Sequence, residues 1–285
     1  INKLISQETL NIETFQILQA LCIQKELDDY CDRQTLLDKQ MQQYPYEMSV
    51  YLRPLQLAIE ADNKELTAKL MKVMSGTQQF SMVDYLLPEF IGLVKNYMKD
   101  NPIPEAALLR QKNDNRLTRD LTEQQIKLLE QHHAEYMPYE VLQSMRLALP
   151  IPAFRPLKNI CQTESEFSAE CLYIADILLN KSNAKLSKAM GHIIHLAVYQ
   201  LNNQQDMLAA SQANQLRLQK YSECLSQALD TNQTFEDLYD QDYTELWLTA
   251  EDELQRLTNM ANYLYKKRQT EGAVNLKDPS TCQIQ

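Results

Sequence analysis

His192 and His195 stand three residues apart in the run Gly191-His192-Ile193-Ile194-His195-Leu196. On a helix this spacing brings both imidazoles toward one face, where such a pair can grip a divalent metal. The metalloprotease pattern H-E-x-x-H is absent, because no acidic residue lies between the two histidines. The apolar neighbours predict packed or hydrogen-bonded imidazoles. The alternative is a hydrolase or metal site built from this pair and nearby carboxylates. A second polar cluster holds Glu130, His132, His133 and Glu135. Adjacent histidines diverge by about 100° around a helix, so this cluster predicts a solvated face rather than a chelate.

Six cysteines carry the second kind of chemistry: Cys22, Cys31, Cys161, Cys171, Cys224 and Cys282. None forms a C-x-x-C unit, which excludes a zinc ribbon or a thioredoxin-type motif. Within one helix the partners of Cys22/Cys31 and of Cys161/Cys171 would lie roughly 14 Å apart, too far to bridge. Across a helix–loop–helix corner the same spacing closes. Cys282 can likewise anchor an irregular tail to Cys224. Three disulfides or six buried thiols are therefore the alternatives. Bridged pairs would each add about 2–4 kcal/mol by restricting the unfolded chain, and would point to an oxidising compartment. Reduced thiols would point to the cytoplasm.

With 4 glycines in the chain, G-x-S-x-G, a P-loop and G-x-G-x-x-G are all missing. The sequence predicts no cofactor and no resident metal, and it assigns no catalytic residue. Two aromatic groups remain. Tyr239, Tyr243 and Trp247 sit among Asp237, Asp240, Asp242 and Glu245; Tyr44, Tyr46 and Tyr51 sit close together near the N-terminus. Tyrosine and tryptophan are favoured anchors of protein interfaces, and equally good core fillers.

The elements that must position these residues are helical. The chain has 285 residues, 44% of them hydrophobic, which suffices for a full core. So few glycines fit helices joined by polar corners better than hairpin turns, which demand positive φ. A net charge of −10 argues against nucleic-acid binding and against docking on anionic lipid. No apolar run reaches the length of a membrane span. The sequence begins at Ile1 rather than Met, a start that removal of a signal segment would leave, as would truncation.

Periodicity predicts helices over residues 8–26, with Phe15, Leu18 and Cys22 on one face, and over 32–43. A hairpin follows, with helices over 47–61 and 64–74 around an Asp62-Asn63 corner. An apolar helix spans 82–98, with a kink at Pro88. A capping box at Thr122-Glu123-Gln124-Gln125 opens a helix to Tyr136, and another covers 139–149. Beyond the prolines at 150, 152 and 156, Ser168 is expected to cap a helix carrying Cys171, Ala175, Leu178 and Leu179. The next helix, to Leu201, is expected to bury Leu186, Met190, Ile193, Ala197 and Leu201. A long helix over 204–229 and a last one over 242–269 complete the set, with Gly272 as the left-handed residue after the end.

The fold class is thus all-α: stacked antiparallel helical hairpins. Residues 1–149 form a solenoid-like half and residues 150–285 a helical-bundle half, either as two units or as one continuous domain.

Pro45 to Met74 resembles a degenerate tetratricopeptide unit. Tyr51 stands at its first aromatic position, Asp62-Asn63 near its inter-helix turn, and Ala68 one residue from its signature alanine. Pro54 and the missing glycine depart from that pattern. The block Cys161, Cys171, Ile174-Ala175, Ser187 and Met190-Gly191 resembles exported bacterial helical proteins that pair such a repeat half with a cysteine-bearing half. Glu164-Ser165 resembles the Glu-Ser pair of lytic transglycosylases, which would make Glu164 a general acid. The Gly-Leu-Met-Gln segment of that family is absent here, and Glu164 falls in a polar corner. The resemblance to those exported proteins implies a periplasmic or otherwise exported setting and no known activity, while a helical-repeat architecture without a recognisable catalytic set predicts a non-enzymatic role in protein–protein interaction. The expected partner is a protein, not a nucleic acid.

Overall fold

Why the cysteine spacings work is visible in the helices they join. In the computed structural model, residues 2–22, 30–82, 88–101, 137–144, 147, 151–234, 236–237 and 240–282 are described. Every named element among them is helical, and the only β-type pairings are the isolated bridges Glu47–Gln79 and Phe80–Ser182. The protein is all-α. Expectations that fall on residues 102–136, including the capping box and the Glu130, His132, His133 and Glu135 cluster, lie outside the described residues.

A short helix α1 (Asn2–Ile5) precedes α2 (Ile12–Cys22) and α3 (Arg33–Gln43). The apolar stripe of α2 buries Phe15, Leu18 and Cys22, as its spacing requires, and Leu36 of α3 packs on it. Asp32 caps α3 by accepting from the Thr35 amide at 3.0 Å. A 3-10 turn, Met48–Tyr51, leads into α4 (Leu52–Glu60), and the Asp62-Asn63 corner turns into α5 (Lys64–Ser75). Asp62 takes φ 50° there, and Asn63 caps α5 through the Leu66 amide at 3.0 Å. The described part of the next helix, α6, runs Pro88–Asp100 and begins at the proline expected to kink it. Residues 83–87, and with them the expected kink at Pro88, lie outside the described residues.

Helix α7 (Phe154–Thr163) and α8 (Ser168–Asn180) meet at a 3-10 corner, Ser165–Phe167. The expected cap moves here. Ser168 is already helical, Phe167 takes the cap position, and the Ser168 hydroxyl accepts from Asn202 at 3.1 Å. Helix α9 (Lys185–Leu201) packs on α8, and its buried face is one position round from the expected stripe. Ser187, Gly191, Ile194 and Val198 are inside, whereas Leu186 is exposed. The displacement has a steric cause: at Gly191 the helices approach so closely that a Cβ would sit 2.8 Å from the Ala175 carbonyl oxygen, which places the glycine in the contact face.

The 28-residue α10 (Gln205–Asn232) lies against α9 and the C-terminal helices. The single last helix expected over 242–269 is two, α11 (Gln241–Thr249) and α12 (Glu253–Thr270). Asp252 breaks it by capping α12, accepting from the Gln255 amide at 2.9 Å. Gly272 closes α12 at φ 77°.

The main core is shared by both sides of position 149. Met48, Leu55, Met71 and Phe80 from one side pack with Phe154, Leu157, Ile174 and Val198 from the other. The Phe80 and Phe154 rings sit 5.5 Å apart. A second cluster joins α10, α11 and α12 through Leu225, Tyr243, Met260 and Leu264. Three disulfides brace these units: Cys22–Cys31, Cys161–Cys171 and Cys224–Cys282, with Cα separations of 5.6, 5.7 and 5.7 Å.

Candidate functional site

The histidine pair is carried by α9 and faces α8. His195 Nε2 lies 3.1 Å from Asp176 Oδ1, and its ring meets Tyr199 at 5.3 Å. Burial pushes the His195 pKa down, and Asp176 with the Leu172 carbonyl pulls it back only in part. His192 is buried, its Nδ1 has no partner among the described residues, and burial together with His195 lowers its pKa as well. Both imidazoles are thereby biased toward the neutral form. Among the described residues no group of three or more His, Cys, Asp or Glu side chains converges as a metal set. Glu164 is exposed at the α7–α8 corner.

The acidic and aromatic stretch from Asp237 to Trp247 folds around two cations absent from that stretch. Asp237, 0% exposed, accepts from Lys267 at 2.8 Å, from the Thr234 amide at 2.8 Å, and from Arg268. Asp240 caps α11 through the Tyr243 amide at 3.1 Å and accepts from Lys267 at 2.6 Å and Tyr263 at 2.8 Å. Burial pushes both carboxyls up, and these donors more than reverse it, so both end below their ordinary values. Burial and Asp237 drive the Tyr243 hydroxyl up to about 12, and burial and Asp240 do the same to Tyr263. The cluster is an ion-pair knot tying the loop before α11 to the end of α12.

Of the expected interface residues, Tyr51 and Tyr243 are buried in the cores. Tyr44 is half-buried, its ring edge-on to Phe15 at 6.0 Å and its hydroxyl donating to the Leu10 carbonyl at 2.8 Å. Trp247 is half-buried between two clusters. Tyr46 is 62% exposed, and Tyr239 lies outside the described residues. All six cysteines are paired.

Sequence reasoning passed over a third place. A cavity of about 200 Å³ opens between α2, α3, α4 and residues 151–153. Arg33 and Arg53 reach it, with the carboxamides of Gln16, Gln19 and Gln56, over a floor that includes Leu36 and Leu52. The signal available was Arg53 itself, a charge inside the apolar run Leu52 to Ile59. Beside the cavity, Glu47 is buried and its Oε1 accepts the amides of Ser49 at 3.1 Å and Ser81 at 2.9 Å. Burial outweighs those bonds and raises its pKa.

No known protein family, curated protein or solved structure matches the chain.

Proposed function

We propose that the chain is a non-enzymatic interaction or scaffold protein of the bacterial cell envelope, exported from the cytoplasm, that takes a protein partner. The observation that carries the reading is the pairing of all six cysteines into three bridges, each bracing a helical corner or tail. Persistent structural disulfides belong to oxidising compartments. The α4–α5 hairpin supports the tetratricopeptide-like reading of Pro45 to Met74. A rigid helical frame with exposed tyrosines such as Tyr46 and Tyr173, 62% and 63% exposed, suits a surface that binds rather than transforms.

Two measurements test this. Thiol counting on denatured, non-reduced protein from its native host should find none; six reactive thiols would return the chain to the cytoplasm. A photo-reactive residue in place of Tyr46 or Tyr173 should yield a discrete cross-linked partner in living cells. Its absence at both positions would remove the partner.

The second reading, a cryptic hydrolase or metal-binding enzyme using His192, His195 and carboxylates, has the 3.1 Å contact of His195 with Asp176 in its favour. Metal analysis of protein purified without chelators decides it: stoichiometric metal lost in His195→Ala would replace the scaffold reading.

A further inference from the structure

The chain carries net charge −10, yet no described residue lining the cavity between α2, α3 and α4 is acidic. Two guanidinium groups enter it instead. Arg33 is the first residue of α3, and its Nε is fixed by the Cys22 carbonyl at 2.6 Å. Cys22 is itself fixed to Cys31, the residue two before Arg33. Arg53, one residue into α4, makes no hydrogen bond or ion pair among the described residues. A half-buried cation with no carboxylate partner among the described residues is a cost that a bound anion would offset.

The rest of the wall fixes what that anion is attached to. Leu36, Leu37 and Leu52 are buried and form the apolar floor, and Leu57 and Ile151, both exposed, stand at its edge. The carboxamides are partly committed: Gln16 donates to Ser81 O at 3.0 Å, Gln56 to Glu60 at 2.8 Å, and Gln19 to Gln40. The carboxamide oxygens of Gln19 and Gln56 remain as acceptors for an N–H on the ligand. A phosphate would waste the floor, and a neutral apolar molecule would leave the half-buried Arg53 without a counter-charge from the ligand. The volume of about 200 Å³ suits a body of amino-acid size.

We propose that this cavity binds a carboxylate borne on a small apolar body, with Arg53 as the anion partner, Arg33 beside it, and the leucine floor under the side chain. The chemistry is that of an N-acylated apolar amino acid, free or as the last residue of a peptide. The site does not depend on the partner reading above: a protein that fails to cross-link at Tyr46 can still bind here.

Calorimetric titration of the intact, oxidised protein with N-acetyl-leucine, N-acetyl-leucinamide and a pentapeptide ending in leucine tests it. The acid should bind at least about tenfold more tightly than the amide. Arg53→Met should remove that preference, and Arg53→Lys should keep part of it. Equal affinity for the acid and the pentapeptide assigns a free small carboxylate, and tighter binding of the pentapeptide assigns a chain terminus. No binding of either carboxylate at millimolar concentration, or equal binding of acid and amide, overturns the proposal. The acid–amide comparison uses unaltered protein, so it stands even where Arg53→Met lowers the melting temperature.

Discussion

The carboxamide of Asn183 pairs with the backbone of Met82 across 101 residues of chain. The Met82 amide donates to Oδ1 at 3.1 Å, and Nδ2 donates to the Met82 carbonyl at 3.1 Å. Nδ2 also donates to the Glu251 carbonyl at 2.9 Å, and the Asn183 carbonyl accepts from the Glu253 amide at 2.9 Å. One side chain therefore holds the segment before α6, the α8–α9 turn and the α11–α12 corner together. Asn183→Ala leaves backbone groups of both Met82 and Glu251 without their partner. It should cost about 1–3 kcal/mol in urea denaturation.

The knot around Asp237 should be more sensitive. Lys267 and Arg268 are folded onto a fully buried carboxylate, and removing it leaves Lys267 with Asp240 alone and Arg268 with Glu271 as its remaining carboxylate. Asp237→Ala should destabilise by about 3–5 kcal/mol, with Asp237→Asn milder because it keeps an acceptor. Because the folded pKa of Asp237 is lowered, its contribution is fully present above the unfolded value near about 3.9 and is lost only as pH falls below it. The knot is therefore silent between pH 5 and 8.

What the sequence made legible follows from what sets each feature. Helix faces driven by large apolar residues, such as Phe15, Leu18 and Cys22, were readable because burial of those groups dominates locally. The face of α9 was not, because close approach at Gly191 outweighs the pull of Leu186 and Met190. The α11–α12 break was hidden because Asp252 acts as a cap only once the chain turns, and Leu246, Ala250, Leu254 and Leu257 recur at helical spacing across it. Asp237 and Asp240 stood out as charges, but their partners Lys267 and Arg268 lie about thirty residues on and are joined to them by tertiary packing. The cavity at Arg53 needed α2, α3 and α4 in place, and no local pattern encodes that.

The pH window that the knot leaves open belongs to the histidines. Burial holds both His192 and His195 below the ordinary value of 6.5. The unfolded chain then binds more protons than the folded one as pH drops through 6.5. Their contribution is fully present above that pH and is lost progressively below it. Glu47 works in the opposite sense: its raised pKa gives stability that is present at low pH and lost as pH rises through its folded value. Melting temperatures from pH 7.5 to 5 should fall in the native chain. His192→Gln should flatten that fall, and Glu47→Gln should steepen it. A fall unchanged in His192→Gln would remove His192 as its source.

Replacing Gly191 with alanine separates helix propensity from packing. Within a helix, alanine is favoured over glycine by about 1 kcal/mol, so propensity alone predicts a gain for Gly191→Ala. A Cβ at 191, however, would sit 2.8 Å from the Ala175 carbonyl oxygen and 2.8 Å from Leu179 Cγ. Leu179 can yield, but the carbonyl belongs to the backbone of α8 and cannot move without the helix. That helix is tied to α7 through Cys161–Cys171, so displacement spreads into the main core. Overpacking of this kind costs about 1–3 kcal/mol and should win, leaving Gly191→Ala destabilised. Gly92 on α6 provides the control, since a Cβ there meets nothing within 4 Å. Gly92→Ala should gain what Gly191→Ala loses, and equal gains at both sites would mean that α8 and α9 do not touch at this point.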